Sequence, residues 1–434
     1  MGLVFSFSTS GFAATKNNDN DNLKVLAEAA ILVDAASGRI LYSKNIDELL
    51  PTASMSKMMT EYLVMETIKE GRIKWDDRIH ISDYVYKISQ NTKLSNVPLR
   101  KDMEYSVKEL YEAMAIYSAN GATIALAEHI AGSETDFVKM MNEKAAELDL
   151  TDYKFVNCTG LNNNDLYGMQ PEGTLSSDED MMSARATATL AYRLIKDYPE
   201  VFRFSDIPKK KFQKGTSDEI QMDNWNWMLP DLVFGYEGMD GLKTGSTDQA
   251  GYCFTGTAKR NGIRLISVVM KTKSFKNRFM ETQKIMDYGF KNFITKEILP
   301  ANQQFEVKIE GGRWRKTEVT NEKPLTVLIK KGEEYTVTPV FRVDNPAKNG
   351  AVIAPVAKGA VVGRVAPDFK GNQFAEYLTE KLEKTAGVET ITPNEIKKAG
   401  FFFSAWYSIG DMIANLWSNI YQLTFQKIVG LWKK

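Results

Sequence analysis

The apolar pattern between residues 27 and 293 changes from strand to helix and back to strand, and this order restricts the folds open to the chain. Residues 29–45, AAILVDAASGRILYSKN, predict two strands joined by a tight turn. Apolar residues then recur at helical spacing as far as residue 200. Strand alternation returns over 239–247 and 251–272, before a last helix. Strands at both ends of a helical segment predict an α/β (α+β) sandwich whose sheet unites the two ends.

The pattern changes again over residues 294–398, where apolar and polar residues alternate between glycine-containing turns. A chain of 434 residues exceeds one ordinary domain, so we predict a separate, small β-rich domain here. The segment contains no cluster of catalytic residue types. It therefore favours a spacer or a binding module.

The last segment, 399–434, places polar residues every three or four positions opposite an apolar stripe that contains tryptophan. This pattern predicts an amphipathic helix lying in a membrane surface, although a helix packed on a partner or on the preceding domain has the same pattern. At the other end, residues 1–14 are typical of the remnant of a secretory signal and 15–26 of a polar linker. We therefore expect an exported protein that residues 400–434 attach to a membrane surface.

Charge and cysteine content exclude several classes of function. Fifty-five basic residues balance fifty-five acidic ones, which gives no support for a nucleic-acid partner. The two cysteines lack C-x-x-C spacing and the two histidines are scattered, so the sequence predicts neither a metal site nor a cofactor. We interpret Cys158 and Cys253 as small buried apolar residues.

A candidate catalytic pair lies in the stretch PTASMSKMMT, where Ser54 precedes Lys57 by three residues. Side chains three apart on a helix share a face, so the amine can accept the proton of the hydroxyl if it is neutral. A free lysine titrates near pH ~10.4, and a helix N-terminus, a second cation or burial would each lower that pKa. An N-cap serine is the structural alternative for Ser54, and Ser56 is a rival nucleophile that points elsewhere on the helix.

Two later motifs make the pair specific. YSANGAT places Ser118 and Asn120 between two predicted helices, and GLKTGST places Lys243 on a predicted strand. S-x-x-K, S-x-N and K-T-G in this order are the signature of penicillin-binding proteins and serine β-lactamases. Stretches such as LYSKNIDELLPTASMSKMMT and DGLKTGSTDQAGYCFTGTAKRNG extend the likeness. The chain resembles the low-molecular-mass penicillin-binding proteins that act as bacterial D-alanyl-D-alanine carboxypeptidases.

The resemblance implies a role for each catalytic residue. Ser54 would attack the penultimate D-Ala carbonyl of a peptidoglycan stem peptide, and Lys57 would take its proton. Ser118 would relay a proton to the leaving D-alanine with help from Lys243. Asn120 would hold Lys57 and the substrate amide. β-Lactam antibiotics would acylate the same serine, on the outer face of the cytoplasmic membrane.

The resemblance also implies the substrate-binding residues. Thr244, Gly245 and Ser246 would form an edge strand that pairs with the peptide, with Gly245 allowing its close approach. Backbone N–H groups of Ser54 and Ser246 would form the oxyanion hole. Arg278 matches an arginine that helps to hold the terminal carboxylate, whereas an exposed arginine at a helix start is the structural alternative.

Three alternatives stay open at this point. A serine β-lactamase shares the nucleophile and the lysine but needs a glutamate-held water for deacylation, and Glu172 lies in a long Asn/Gly-rich loop over 159–177. A transpeptidase would differ only in the acceptor. A catalytically silent cell-wall scaffold would use the fold without the chemistry.

Overall fold

The computed structural model describes residues 23–334, 336–369 and 374–400, and these separate into two compact units. The first unit contains the described residues through Phe293 together with residues 374–383. The second contains the described residues of 294–372 and those from Lys384 onward. The signal remnant and the predicted amphipathic segment beyond residue 400 lie outside the described residues.

The strands and helices of the first unit alternate along the chain. Its strands are β1 (Ala29–Asp34), β2 (Ile40–Lys44), β3 (Leu50–Pro51), β4 (Arg78–His80), β5 (Glu104–Ser106), β6 (Tyr153–Lys154), β7 (Met181–Met182), β8 (Lys209–Phe212), β9 (Ile220–Asp223), β10 (Met239–Thr247), β11 (Gly251–Arg260) and β12 (Ile263–Thr272). Its helices are α1 (Lys57–Lys69), α2 (Asp83–Ser89), α3 (Val107–Tyr117), α4 (Asn120–Ala131), α5 (Glu134–Glu147), α6 (Ala184–Asp197), α7 (Phe202–Ser205) and α8 (Phe275–Asn292).

The central sheet has the strand order β10-β11-β12-β1-β2, with antiparallel pairing throughout. Strand β1 joins β12, pairing Ala29 with Met270, so the sheet unites the two ends of the unit as the sequence predicts. Strand β10 ends this order, and one of its edges carries no partner strand from the described residues. That open edge is where an extended peptide can add.

Both faces of the sheet are covered by helices. Every residue of β1 is buried, as expected of a central strand with both faces covered. Ile31 belongs to the large core that includes residues of α1 and α6, whereas its neighbour Leu32 faces α8. A Cβ at Gly289 of α8 would lie 2.8 Å from the Leu32 side chain, so glycine allows that helix to approach closely. The predicted sandwich is confirmed.

A short C-terminal segment completes the other edge of this sheet. The Ile40 N–H donates to the Glu376 carbonyl at 2.8 Å, and the Leu378 N–H donates to the Gly38 carbonyl at 2.9 Å. The buried Arg39 guanidinium donates to the Phe374 carbonyl at 2.8 Å. The first unit is therefore built from two separate stretches of the chain.

The second unit is β-rich, as the sequence predicts. Its strands β14, β15 and β17 to β20 form one sheet in the order β17-β19-β20-β15-β14-β18, while β13 pairs with β16. Their bounds are β13 (Phe293–Leu299), β14 (Gln304–Glu310), β15 (Lys316–Asn321), β16 (Leu325–Lys330), β17 (Val337–Val343), β18 (Val352–Ile353), β19 (Val361–Phe369) and β20 (Val388–Ile391). A short helix, α9 (Glu380–Lys384), ends the C-terminal stretch that belongs to the first unit. Within the described ranges, no helix is both long enough and apolar enough to cross a bilayer.

Candidate active site

The Ser54 hydroxyl is presented by a 3₁₀ turn, Ala53–Ser56, that leads directly into α1. Ala53 adopts a left-handed conformation with φ of 48°. The Ala53 carbonyl packs against Gly160, where a Cβ would lie only 1.9 Å from the Ala53 oxygen, so only glycine leaves room for the turn. Ser56 is fully buried, and its hydroxyl lies 2.8 Å from that of Thr52. The turn therefore leaves Ser54 as the accessible hydroxyl of the motif.

The Lys57 amine has three oxygen atoms around it. Its Nζ lies 3.0 Å from Ser54 Oγ, 2.7 Å from Asn120 Oδ1 and 2.7 Å from the Thr159 carbonyl oxygen. The amide and the carbonyl accept hydrogen bonds and hold two N–H groups. A neutral amine has only two N–H groups, so its lone pair then faces the serine hydroxyl.

Electrostatics favour that neutral form. Lys57 has 0 % of its surface exposed, and this burial lowers its pKa well below the usual lysine value. The positive charge of Lys243 lowers the pKa further. Lys57 can thus accept a proton from Ser54. The second cation that the sequence analysis expects near Lys57 is Lys243.

Lys243 lies on β10, has 2 % of its surface exposed, and contributes its charge from inside the protein. Burial lowers its pKa to about 8, while the negative charge of Glu61 raises it and the positive charge of Arg278 lowers it. A group with this pKa is mostly protonated at neutral pH. The two lysines are therefore held in different protonation states, one as a base and the other as a cation.

Ser118 ends helix α3 in a left-handed conformation with φ of 59°. Its hydroxyl is buried and has no hydrogen-bond partner within the described part of the chain. Buried hydroxyls normally have partners, so this one is available to a substrate. The adjacent helix start places Asn120, whose side-chain amide also donates to the Ser95 carbonyl at 3.0 Å. That contact fixes which atom of the amide faces Lys57.

The Thr159 carbonyl is held in place by a network of buried polar groups. Asn157 Oδ1 accepts the N–H groups of Thr159 at 2.9 Å and Gly160 at 2.7 Å. Asp180 Oδ1 accepts the N–H groups of Val156 at 2.7 Å and Asn157 at 3.1 Å, and burial raises its pKa to about 7. The loop that touches Lys57 is thereby made rigid.

Glu61 is a buried carboxyl that the sequence analysis missed. It lies one helical turn after Lys57 on α1, and burial raises its pKa to about 7. The charges of Lys243 and Lys57 act in the opposite direction. The spacing of four residues places Glu61 on the same helix face as Lys57, which the sequence already indicates. Only the fold shows that Lys243 also lies near Glu61.

The structure gives a further reason for glycine at position 245. A Cβ at this position would lie 2.5 Å from the Thr52 carbonyl oxygen and 3.2 Å from the Ala53 Cβ. The absent side chain therefore makes room for the turn that carries Ser54, and close approach of a substrate at Gly245 stays a prediction. Thr244 is buried beside it on the same strand, whereas Ser246 is exposed.

Arg278 is not an exposed residue at a helix start. It is 3 % exposed and its guanidinium packs on the rings of Phe275 and Phe279. It donates to the Gly245 carbonyl at 3.4 Å, and its Nε–H has no partner in the described ranges. Burial lowers its pKa to about 10. Its observed contact is with the edge strand, and binding of a substrate carboxylate stays a prediction.

Comparison with known proteins identifies the family. A family model described as D-alanyl-D-alanine carboxypeptidase matches residues 14–274, which is more than half of the chain. The chain belongs to this family. A second model, the C-terminal domain of penicillin-binding protein 5, matches residues 293–398. The predicted enzyme class, a serine-type D-alanyl-D-alanine carboxypeptidase, is confirmed.

Individual relatives match both units of this family member. D-alanyl-D-alanine carboxypeptidase DacF from Bacillus subtilis is 32% identical over 94% of this chain and 96% of its own. The solved structure of a peptidoglycan synthesis regulatory factor, PBP3, from Streptococcus pneumoniae is 33% identical, with a TM-score of 0.73 over 86% of this chain and 100% of its own. The solved structure of penicillin-binding protein 5 from Haemophilus influenzae is 29% identical, with a TM-score of 0.68 over 86% of this chain and 98% of its own.

Proposed function

We propose that this family member removes the terminal D-alanine of peptidoglycan stem peptides through an acyl-enzyme on Ser54. The observation that carries the proposal is the Lys57 amine, which lies 3.0 Å from the serine Oγ and has two other acceptors fixed beside it. A buried lysine with a strongly lowered pKa is a competent general base in this position.

The reaction follows from this geometry. Lys57 takes the hydroxyl proton as Ser54 Oγ bonds to the carbonyl carbon of the penultimate D-alanine. The tetrahedral intermediate then breaks its C–N bond, and the leaving amine receives the proton through the Ser118 hydroxyl. Water attacks the resulting ester with the same lysine as base and regenerates the serine. Protonated Lys243 holds the terminal carboxylate beside the open edge of β10.

The proposal extends to β-lactams as covalent inhibitors. A solved structure of penicillin-binding protein D2 from Listeria monocytogenes in an ampicillin-bound form is 33% identical to this chain, which it covers over 62% with a TM-score of 0.52. The strained lactam carbonyl would occupy the place of the peptide carbonyl on Ser54. Because its leaving nitrogen stays attached to the acyl group, the ester would persist.

Two measurements test this function. Labelling by a fluorescent penicillin should disappear in Ser54→Ala and persist in Ser56→Ala, the matched change of the buried neighbour. Release of D-alanine from a muropeptide pentapeptide should show the same contrast. A chain that binds penicillin without releasing D-alanine would be a scaffold rather than a carboxypeptidase.

The surroundings of Glu172 give no support to it as the deacylating glutamate of a β-lactamase. Glu172 is exposed, and its backbone N–H donates to the Thr135 hydroxyl at 3.1 Å. We therefore expect the penicillin adduct to be long-lived. Turnover of the adduct within seconds would support a lactamase instead.

The proposal also includes export and attachment to the outer face of the cytoplasmic membrane. The amphipathic pattern over 399–434 and the signal-like residues 1–14 support it. Deletion of residues 400–434 should move most of the protein to the soluble fraction without abolishing D-alanine release. Continued sedimentation of the truncated protein with membranes would contradict the anchor.

A further inference from the structure

The turn between β14 and β15 in the β-rich unit carries an unusual combination of side chains. Trp314 lies at its tip with 68% of its surface exposed, which makes it the most exposed tryptophan among the residues that the structure describes. Arg313 and Arg315 flank it, and the Arg313 guanidinium lies 5.9 Å from the indole ring centre. An exposed indole costs free energy unless a partner covers it.

Further cations surround this turn. Lys308 on β14 lies directly opposite Lys316 on β15, and both are exposed. Like charges in opposite positions of an antiparallel pair destabilise the sheet. Lys397 and Lys398 lie beside this turn, because the backbone N–H of Arg313 donates to the Lys397 carbonyl at 2.9 Å. We call the surface formed by these residues the basic tip: Lys308, Arg313, Trp314, Arg315, Lys316, Lys397 and Lys398.

Carboxylates offset only part of this charge. Glu306 forms an ion pair with Lys316 at 2.5 Å, exposed Glu318 lies opposite Glu306 in the same pair of strands, and Glu395 lies 3.6 Å from Lys397. Glu310 lines a groove of about 560 Å³ beneath the tip, together with Lys308 and Arg315. The basic tip thus keeps a net positive charge next to a groove large enough for a small anionic group.

The position of the tip in the chain indicates what this partner is. Ala399, the first residue of the predicted amphipathic segment 399–434, lines the same groove. Exposed Ile353 adds apolar surface beside the tip, since it pairs with Glu310 on β14. Tryptophan flanked by arginine and lysine is typical of protein surfaces that enter the headgroup region.

We infer that the basic tip docks on an anionic phospholipid surface, with Trp314 in the interface and the lysine and arginine side chains on headgroup phosphates. This contact is separate from the proposed tail helix, but it rests on that proposal for bringing the tip to the membrane. It gives the β-rich unit a function of its own, as a second point of attachment.

A local probe tests the contact in the full-length chain. Trp314→Cys labelled with the environment-sensitive dye NBD reports on this position, and the native Cys158 and Cys253 are buried and so escape labelling. On vesicles of phosphatidylcholine with phosphatidylglycerol, NBD emission should shift to the blue. The matched control is the same dye at Lys323→Cys, an exposed position beyond the other end of β15, where no shift is expected.

Charge variants supply the second measurement. The double change Arg315→Gln with Lys316→Gln should weaken partition onto these anionic vesicles by roughly tenfold, and should have little effect on phosphatidylcholine alone. Lys323→Gln with Lys331→Gln removes the same charge outside the tip, and should change partition by less than about twofold.

The outcomes separate this inference from the proposed anchor. A vesicle-bound chain whose NBD label at 314 stays in water would overturn the inference and leave the tail anchor standing. Equal losses in the two double variants would overturn it as well. A chain that does not bind vesicles at all would overturn both. A blue shift with soluble polyglutamate but not with vesicles would assign the tip to a polyanion instead of a lipid.

Discussion

The protonation states of single side chains decide whether this site can work. Lys57 and Lys243 are both buried, yet they need opposite charges, and nearby groups separate them. Burial and the second lysine hold Lys57 neutral, whereas Glu61 favours the charged form of Lys243. Burial raises the pKa of the Glu61 carboxyl itself to about 7, so it titrates near neutral pH. These three groups form one coupled system.

Glu61→Gln should move the pH profile of acylation towards acid. The Glu61 charge raises the pKa of both lysines, so its removal lowers both values. Lys57 then becomes neutral at lower pH, and Lys243 loses its proton below pH 8 instead of near it. We expect both limbs to shift by roughly one pH unit. Penicillin acylation rates measured across pH check this.

Glu66→Gln is the matched control for this change. Glu66 lies on the same helix but pairs with Lys144 at 3.0 Å, away from the motif. Its profile should coincide with that of the wild type. If Glu61→Gln lowered the rate equally at every pH, its role would be structural and the coupling of the lysines would be wrong.

Gly160→Ala should destabilise the protein and impair acylation together. The residue has φ of 75°, and a Cβ would meet the Ala53 carbonyl carbon at 2.4 Å, which displaces the turn that carries Ser54. We expect a loss of about 2–4 kcal/mol in the free energy of unfolding.

Gly173→Ala is the control that measures the cost of a side chain at positive φ without a steric clash. Its φ is 81°, but no atom lies within 4 Å of the Cβ position, so about 1 kcal/mol is expected with acylation unchanged. Thermal unfolding and penicillin labelling of both variants supply the comparison. Similar losses in the two would contradict the steric explanation.

At the level of elements, the catalytic groups are placed by three parts of the first unit: the turn that carries Ser54, the loop that carries the Thr159 carbonyl, and strand β10 with Lys243. Asp180 joins two of these, because its carbonyl accepts the Thr52 N–H at 3.1 Å while its side chain holds the loop at Val156. Glu134 holds the same loop, with Oε1 accepting the Cys158 N–H at 3.0 Å. Two buried carboxyls therefore position the loop whose carbonyl touches Lys57.

Asp180→Ala should loosen this junction. It leaves the N–H groups of Val156 and Asn157 without acceptors in the interior, at a cost of about 2 kcal/mol or more. The Thr159 carbonyl then moves relative to Lys57, so acylation should slow more than penicillin affinity falls. Stopped-flow acylation and thermal unfolding test both effects.

The control for this junction is Asp178→Ala, which removes a carboxylate from the same stretch. Asp178 accepts the Leu175 N–H at 3.1 Å at a more exposed position. Its loss should leave acylation unchanged. An equal slowing of acylation by the two changes would contradict the specific role of Asp180 at this junction.

Sequence patterns predicted the parts of the site that depend on spacing or order. Ser54 and Lys57 follow from helical geometry, and the union of β1 with β12 follows from strands at both ends of the unit. The Thr159 carbonyl was not predictable, since a backbone oxygen carries no residue identity. The packing of Gly245 against Thr52 was not predictable either, because the two residues are distant in sequence and close only in the fold.

At the scale of the whole molecule, the catalytic unit is discontinuous in sequence. Residues 374–383 belong to it although the pattern places them in the β-rich region. No periodicity marks such a short segment, because much of its attachment consists of backbone hydrogen bonds to Gly38 and Ile40, beside the core residue Leu378. The Arg185 guanidinium adds contacts with the carboxylate of Glu376 and the carbonyl of Tyr377.

A chain that ends at residue 293 should therefore be less stable than the catalytic unit of the full-length protein. It lacks the acceptor for the buried Arg39 guanidinium and the covering of the β2 edge. We expect the unfolding transition of this unit to fall by several degrees, at a loss of about 2–4 kcal/mol. Differential scanning calorimetry of both chains measures it. Coincident unfolding transitions would mean that residues 374–383 do not stabilise the catalytic unit.

This discontinuity also sets a sequence of events at the ribosome and afterwards. Translation reaches residue 374 only after β13 to β19 have been made, so the earlier domain is finished late. Until then the β2 edge lacks its last neighbour and is open to pairing with other chains. Maturation of the enzyme therefore waits for synthesis of a region that contributes none of its catalytic side chains.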